Sequence, residues 1–317
     1  MEMTGKPGIE IKNLSKKFGK FTALDNLDLT LEGVKCVGFL GPNGAGKTTT
    51  LKLLADMIFP TEGECFINGI SVQRERKLAL SDVGLLIETP EIYPSLTPYE
   101  GLEMVADMRG IPVNGRKDRI GEVLAEVRME EWADKRIGEF SKGMKQRINI
   151  AAALVHDPEI VILDEPATGL DPRGMAEVRE IVRNLKKRNR LIFMSSHILQ
   201  EVTDVCDEIV LINKGKMLFY DTLDNVTERF ADGHTSVDMG FSPQIQESVA
   251  ASIEKLAGVI SAQILDQKRI RVRFKGGNGA QEKLLEDIVK MHVGLVSFSE
   301  STGTLEEVYM REIERGD

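Results

Sequence analysis

The sequence predicts an α/β domain that carries an all-helical insert, followed by a small two-layer α+β domain. Short β-branched segments such as "KCVGFLG" and "EIVILDE" are typical of buried parallel strands. Between them, from about residue 97 to 157, apolar residues recur at helical spacing. The polar stretch "ADGHTS" then separates this part from a second run of strands and helices. We therefore predict one domain over residues 1–232 and another over residues 233–317.

The composition is that of an ordinary globular protein. Of 317 residues, 42% are hydrophobic and 29% are charged, and a net charge of −9 argues against a general nucleic-acid binder. No apolar run approaches the roughly 18 residues that span a bilayer, and the N-terminus has no apolar signal-peptide core. We expect a cytosolic chain in which Cys36, Cys65 and Cys206 are buried, reduced thiols.

The first domain begins with strands that alternate apolar and polar residues, "GIEIKNLS" and "TALDNLDLTLE". The apolar run "KCVGFLG" predicts a buried strand, and a helix from Gly46 to about Asp56 follows it. "CFINGISV" predicts a strand that folds back around a turn, and "DVGLLIE" predicts a further strand. "TPEIYPSLTP" after it is predicted to be a loop because of its prolines.

The helical insert begins at "TPYEGLEMVADMRG", where a threonine cap precedes a proline in the first turn. "RKDRIGEVLAEVRME" is amphipathic, and "SKGMKQRINIAAALVHD" continues as a helix until Pro158. The α/β pattern then resumes. It predicts, in order, the strand "EIVILDE", the helix "DPRGMAEVREIVRNLKKR", the strand "LIFMSS", the helix "HILQEVTDVC", the hairpin "EIVLINKGKMLFY" and a helix over about residues 223–230.

The second domain has the predicted order βαββαβα, which is typical of a ferredoxin-like fold. It contains no motif that carries chemistry. It also lacks the basic cluster with interleaved aromatic residues that an RNA-binding sheet would present. A structural, dimerising or regulatory role is therefore the prediction for residues 233–317.

"GPNGAGKT" fits the phosphate-loop pattern G-x-x-x-x-G-K-[ST], with an apolar strand before it and a helix after it. Such a loop directs backbone N–H groups at phosphate oxygens, at the positive end of the helix. Lys47 would reach the β- and γ-phosphates, and the Thr48 hydroxyl would bind Mg²⁺. The alternative is a glycine-rich turn that binds no nucleotide. The candidate nucleotide-binding residues here are Gly41, Pro42, Asn43, Gly44, Ala45, Gly46, Lys47, Thr48 and Thr49.

Two carboxylates, Asp164 and Glu165, follow the buried strand "IVIL". Because a buried charge is costly unless it is paired or near a metal, we predict that Asp164 holds Mg²⁺. Glu165 would act as the general base for an attacking water. His197 follows the next strand, whose end should face the same phosphates, and is a third catalytic candidate beside Glu165 and Lys47. The alternatives are capping acids for the carboxylates and a structural cap for the histidine.

"FSKGMKQR" has the features of a second anion-binding helix start, since Ser141 can cap, Gly143 permits close approach, and Lys142 is cationic. One chain of this size has no evident need for two such sites.

Together, "GPNGAGKTT", "FSKGMKQR", "LDEPATGLDP" and "SSH" resemble, in order and spacing, the ATP-binding subunit of an ABC transporter, over roughly residues 8–230. The resemblance implies a P-loop NTPase fold of the ABC type that binds ATP and Mg²⁺ and hydrolyses ATP. It also implies head-to-tail pairing, in which Ser141 and Gly143 contact the ATP held by the partner. Asp171 would cross that interface, which is compatible with its being a helix N-cap. Phe18 would stack on adenine, unless it is a core residue.

The sequence departs from the family in places. Lys142 and Met144 replace a glycine and a glutamine of the usual "LSGGQ". Glu88 stands where a glutamine touches Mg²⁺, and we predict that it remains a metal-side sensor; the alternative is an outward-turned residue with a loop role only. Ala167 stands where a threonine is common, and we assign it no function.

The segment "IETPEIYPSLTPYEGL" and the C-terminal part resemble export-type subunits of the bacitracin-resistance, lantibiotic, drug and sodium-extrusion kind. That resemblance implies a homodimer, or a pair with a second ATP-binding subunit. It also implies a separate permease that docks near Glu88–Tyr99 and holds the chain at the inner face of the cell membrane. No nucleic acid is expected as a partner. The alternatives are a soluble ABC ATPase that serves no transporter and a nucleotide-binding regulator without turnover.

Overall fold

The computed structural model describes residues 8–88, 92–230, 234–276 and 278–301. The chain divides into two compact units between Leu223 and Asp224. The predicted domain boundary at residues 232 and 233 stays a prediction, because residues 231–233 lie outside the described part.

The strands of the first unit are β1 (Gly8–Phe18), β2 (Phe21–Glu32), β3 (Lys35–Leu40), β4 (Glu62–Ile67), β5 (Ile70–Ser71), β6 (Val83–Leu86), β7 (Ile160–Leu163), β8 (Leu191–Ser196), β9 (Glu208–Asn213) and β10 (Lys216–Thr222). Its helices are α1 (Lys47–Leu54), α2 (Arg76–Ala79), α3 (Pro98–Met108), α4 (Val113–Glu126), α5 (Lys142–Leu154), α6 (Pro172–Lys186) and α7 (Leu199–Val205), and α8 (Leu223–Phe230) begins where the units divide. Short 3₁₀ turns lie at Glu130–Trp132 and Ile137–Glu139.

The larger sheet has the order β10-β9-β3-β8-β7-β6. Strands β9, β3, β8, β7 and β6 are parallel, and β10 pairs antiparallel with β9. Because parallel strands place their carboxyl ends at one edge, the residues that follow β3, β7 and β8 lie at the same edge of the sheet. The sheet therefore brings the phosphate loop, the two carboxylates and His197 together, as predicted from the strand pattern.

A smaller antiparallel sheet, in the order β2-β1-β4-β5, packs into the same core as the larger sheet. Period-two burial along β2 directs Leu27, Leu29 and Leu31 inward. In the larger sheet, the rings of Phe39 and Phe193 lie 5.2 Å apart in adjacent strands. Burial of each such side chain stabilises the fold by about 1.5–3 kcal/mol.

The helical insert contains α3, α4 and α5. Thr97 and Glu100 form a reciprocal capping box at the start of α3, as the Thr-Pro signal predicts. The beginning of α4 is interrupted at Asn114 and Gly115, where Gly115 has a φ of 102°, so the regular helix starts close to the predicted Arg116. The insert is fixed to the α/β core by Glu126, whose carboxylate pairs with the buried Arg190 just before β8.

The second unit contains β11 (His234–Phe241), α9 (Glu247–Glu254), β12 (Val259–Asp266), β13 (Arg269–Lys275), α10 (Asn278–Lys290) and β14 (Leu295–Ser301). Its antiparallel sheet has the order β12-β13-β11-β14 and its own apolar core. The observed order βαββαβ matches the prediction as far as it is described. The predicted last helix, "TLEEVYMREIE", lies outside the described residues.

The three cysteines are buried and free, as predicted. Their sequence spacing did not show that Cys36 and Cys206 meet, with their Sγ atoms 3.5 Å apart. Within the described part of the chain, no helix is both long and apolar enough to span a bilayer.

Candidate nucleotide-binding site

The phosphate loop joins β3 to α1 and depends on backbone conformations that favour glycine. Gly44 has a φ of 82° and Gly46 a φ of 108°. A Cβ at Gly46 would lie 2.7 Å from the carbonyl oxygen of Ala23, so a larger residue would displace the loop from β2. Gly46, the N-cap of α1, has no side chain that could accept a hydrogen bond from the first N–H groups of the helix. These groups are therefore available to donate to phosphate oxygens.

Hydrogen bonds hold the loop from both sides. The Gly41 N–H donates to the Ser196 carbonyl at the end of β8, at 3.4 Å. The Gly215 N–H, in the β9–β10 turn, donates to the Ala45 carbonyl at 2.9 Å. The loop is therefore positioned by both strands that flank β3 and not by its own sequence alone.

Lys47 lies inside this loop, with 4% of its side chain exposed. Its Nζ donates to the carbonyl oxygens of Gly41 at 2.8 Å and Pro42 at 3.2 Å. Nζ also lies 3.4 Å from Oε1 of Glu165. The structure thus brings a buried ammonium group and a carboxylate together at the start of α1, where the sequence predicted both.

Asp164 follows β7 and accepts two hydroxyl hydrogen bonds at Oδ1, from Thr48 at 3.2 Å and from Ser195 at 2.6 Å. A hydroxyl and a carboxylate so placed are the hard oxygen ligands that Mg²⁺ prefers. These residues therefore fit a magnesium site beside the phosphate loop. Mg²⁺ bound there would neutralise charge on the phosphates. Sequence reasoning missed Ser195, whose place one residue before the end of β8 was the available signal.

Glu165 occupies a sparsely populated backbone conformation, with a φ of 44°. Its N–H donates to Ser195 Oγ at 2.9 Å, and its Oε2 accepts from Thr168 Oγ1 at 2.9 Å. His197 Nδ1 lies 3.0 Å from the same Oε2. Burial raises the pKa of Glu165, but the Thr168 hydrogen bond and the charges of His197 and Lys47 outweigh it, so the pKa is lowered overall. The carboxylate is therefore ionised and oriented, as a general base must be.

A cavity of about 190 Å³ lies against the phosphate loop. Phe21 lines it, whereas Phe18, the residue that the resemblance assigned to adenine, does not. Phe18 is half exposed and is covered by the Lys16 ammonium, 4.8 Å from its ring centroid. The two phenylalanines are register partners across the β1–β2 turn. The sequence signal for Phe21 was the stretch "FGKF", in which a second aromatic residue follows Phe18 after a two-residue turn. The other residues lining the cavity are Ala23, Asn43, Gly44, Gly46, Lys47, Thr48, Thr49 and Glu165.

Ser141, Gly143 and Asp171 do not line this cavity. Ser141 caps α5 by accepting from the Met144 N–H at 3.2 Å, and Asp171 caps α6 by accepting from the Gly174 N–H at 3.1 Å. The structure thus shows the N-cap role for Asp171 and leaves the predicted contacts with a partner's ATP as a prediction. Lys142 extends over Gly169, where an added Cβ would lie 2.4 Å from Nζ.

Glu88 lies two residues after β6, with a φ of 59°, and its carboxylate pairs with Lys52 on α1. Lys52 is one helical turn beyond Thr48, so this pair lies on the same face of α1 as the predicted Mg²⁺ ligand. The Glu88 side chain is 61% exposed. Its predicted role at the metal stays a prediction, and residues 89–91 of the adjoining predicted loop lie outside the described part.

Comparisons with known proteins agree with this arrangement. A sequence profile of the ABC transporter family matches residues 24–168. The chain is 35% identical to the bacitracin transport ATP-binding protein BcrA of Bacillus licheniformis, over 97% of this chain and 98% of BcrA. This chain belongs to the ATP-binding subunits of ABC transporters. The lantibiotic transport ATP-binding protein SrtF of Streptococcus pyogenes is 36% identical, over 70% of this chain and 95% of SrtF, which agrees with the predicted likeness to export-type subunits.

Solved structures of ABC cassettes have the same fold. A structure of the ATP-binding subunit of an ABC transporter is 30% identical, with a TM-score of 0.63, and covers 70% of this chain and 93% of its own. The dimeric structure of MJ0796, a bacterial ABC transporter cassette, is 25% identical with a TM-score of 0.61, and covers 68% of this chain and 98% of its own. The fold class predicted from the sequence is confirmed for the ABC-type ATPase domain.

This ABC ATP-binding subunit binds ATP with Mg²⁺ and hydrolyses ATP in a reaction coupled to transport. Such subunits dimerise and act with membrane permeases at the cell membrane. The comparisons give no support to the alternative of a soluble ATPase that serves no transporter.

Proposed function

We propose that this subunit drives export by a separate permease and forms a homodimer that closes around two ATP molecules. The near full-length likeness to a bacitracin transport ATP-binding protein, which includes the second unit, supports the export direction. The chain then lies at the inner face of the cell membrane, held there by its permease. Pairing with a second ATP-binding subunit is the alternative assembly.

The cavity at the phosphate loop supports the dimer, because Ser141, Gly143 and Asp171, which the resemblance assigns to ATP, do not line it. Ser141 and Gly143 would complete the site from the partner, with the N-terminus of α5 directed at the γ-phosphate. Closure would then be stabilised only while that phosphate is present.

Within each half-site, the described contacts support three catalytic roles. Lys47 neutralises charge on the β- and γ-phosphates. Glu165 accepts the proton of the attacking water, since its lowered pKa and its hydrogen bonds keep it ionised and oriented. His197 contacts Oε2 of Glu165 through Nδ1 at 3.0 Å and would contact the γ-phosphate when ATP is bound.

A groove of about 490 Å³ supports permease docking beside the proposed segment, Glu88–Tyr99. Apolar residues Leu80, Leu85 and Ile87 line it together with the cations Arg76, Lys77 and Arg109. The Arg109 guanidinium is fixed by the carbonyl oxygens of Leu80 and Val83. Because this lining is apolar and basic, it suits a permease segment that is apolar and carries acidic residues.

Affinity purification of the full chain from detergent-solubilised membranes of its own organism tests this function. We expect a protein with several membrane-spanning helices to co-purify, as identified by mass spectrometry. Lys77→Glu should reduce its yield several-fold, whereas Lys187→Glu, an exposed lysine after α6, should not. Recovery of the chain without a membrane-spanning partner would contradict the proposal. Equal recovery with both variants would contradict the docking surface alone.

A further inference from the structure

Glu201 is a buried carboxylate on α7 that the proposed mechanism does not use. Only 3% of the residue is exposed. Its Oε2 accepts a hydrogen bond of 2.6 Å from the hydroxyl of Ser196, which is itself fully buried at the end of β8. Its Oε1 is buried and has no hydrogen-bond partner among the described residues. Because such a group is costly to keep inside a protein, its presence next to the site requires a reason.

The Ser196 hydroxyl holds the turn that carries His197. Its oxygen accepts the N–H of Ile198 at 2.9 Å. Its own proton has two acceptors in reach, Glu201 Oε2 at 2.6 Å and the Ile198 carbonyl oxygen at 3.2 Å, and the shorter contact is the one to Glu201. The residues on either side of His197 are thus linked through one hydroxyl group, whose orientation Glu201 sets. The Ser196 carbonyl also accepts from the Gly41 N–H, so the same turn contacts the first residue of the phosphate loop.

His197 has little else to fix its position. Its side chain is 32% exposed, and among the described residues its ring makes a hydrogen bond only to Glu165, at 3.0 Å. The direction of the ring therefore depends on the backbone at position 197. A shift of that backbone would move the imidazole relative to both Glu165 and the phosphate loop.

We propose that Glu201 is a positioning residue for ATP hydrolysis, which holds His197 toward Glu165 through the Ser196 hydroxyl. This proposal rests on the proposed role of His197. Glu201 does not line the phosphate-loop cavity, and among the described residues its side chain has a hydrogen bond only to Ser196, through which it acts. A purely structural role would instead make Glu201 a stabilising residue of α7 with no particular effect on turnover.

Steady-state kinetics of the full chain with MgATP test the proposal, together with thermal unfolding. Glu201→Leu removes the acceptor, and we expect kcat to fall about tenfold or more while KM for ATP changes less than about twofold. Glu201→Gln retains an acceptor oxygen for Ser196 and should recover most of the lost turnover. Ser196→Ala breaks the same link with a small, uncharged change, and should lower kcat similarly even if Glu201→Leu folds poorly.

Glu126→Gln is the matched control, because the Glu126 side chain is only 3% exposed and pairs with Arg190 rather than with a residue of the turn that carries His197. It should lower the melting temperature but leave kcat of the folded protein within about twofold. In the His197→Ala background, Glu201→Leu should have no further effect on kcat, since it acts through that histidine.

Two kinds of result distinguish the failure of this proposal from the failure of the proposed function. If His197→Ala loses turnover while Glu201→Leu and Ser196→Ala keep it, the positioning role is wrong and the role of His197 stands. The positioning role is also wrong if Glu201→Leu lowers kcat equally with and without His197. If His197→Ala keeps full turnover, the role of His197 is wrong, and the positioning role fails with it.

Discussion

Phe21 is more than half exposed at the tip of a β-hairpin, so its ring is accessible to a bound base. It lines the phosphate-loop cavity, while its register partner Phe18 is covered by a lysine. Since an aromatic residue that stacks on a base contributes about 1–3 kcal/mol, the two residues should differ measurably in nucleotide binding.

We predict that Phe21→Ala weakens ATP binding about tenfold or more, and that Phe18→Ala weakens it less. The dissociation constant for a fluorescent ATP analogue, measured by titration of each purified variant, checks this. Phe59→Ala is the control, because Phe59 is 70% exposed and does not line the cavity. A larger loss in Phe18→Ala than in Phe21→Ala would restore the assignment made from the sequence.

The strands and helices explain which parts of the site could be predicted from the sequence and which could not. The phosphate loop, Asp164 and His197 were placed correctly because each follows a short buried strand, and parallel strands share one edge. The contact between Cys36 and Cys206 and the pairing of Glu88 with Lys52 depend on packing between distant segments. The period of apolar residues and the spacing of motifs carry no information on contacts between distant segments, so the sequence alone did not reveal them.

Helix α5 begins at Ser141, whose side chain caps it, while Lys142 extends sideways over Gly169. The N-terminus of α5 would face a partner's ATP, so bulk at Ser141 should block closure of the dimer. The Lys142 side chain lies over Gly169 and does not cover the N-terminus of α5. The two adjacent positions should therefore respond very differently to substitution.

We predict that Ser141→Phe abolishes ATP turnover without weakening ATP binding at Lys47, whereas Lys142→Gly remains active within about threefold. ATPase rates and ATP dissociation constants of both variants provide the measurement, with circular dichroism to confirm that α5 is retained. Loss of ATP binding in Ser141→Phe would place Ser141 in the site of its own chain. Full turnover in that variant would show that Ser141 contributes to neither half of the composite site.

At the scale of the whole molecule, the anion-binding features are divided between two places that do not share one cavity. The phosphate loop, the carboxylates and His197 meet at one sheet edge, whereas Ser141 caps a helix of the insert and does not line the cavity there. The resemblance to head-to-tail cassettes explains this division, since each chain would supply half of two composite sites. Turnover should then depend on association of two chains.

We predict that the specific ATPase activity of the purified chain rises with protein concentration and then saturates, because the dimer and not the monomer hydrolyses ATP. Glu165→Gln removes the general base and leaves the binding contacts, so it should bind MgATP, accumulate as a dimer in size-exclusion chromatography with light scattering, and lose nearly all turnover. The parent chain in ADP should remain monomeric, since the γ-phosphate that α5 would contact is missing. A specific activity independent of concentration would contradict the composite site, whereas turnover at the parent rate in Glu165→Gln would contradict the general-base role alone.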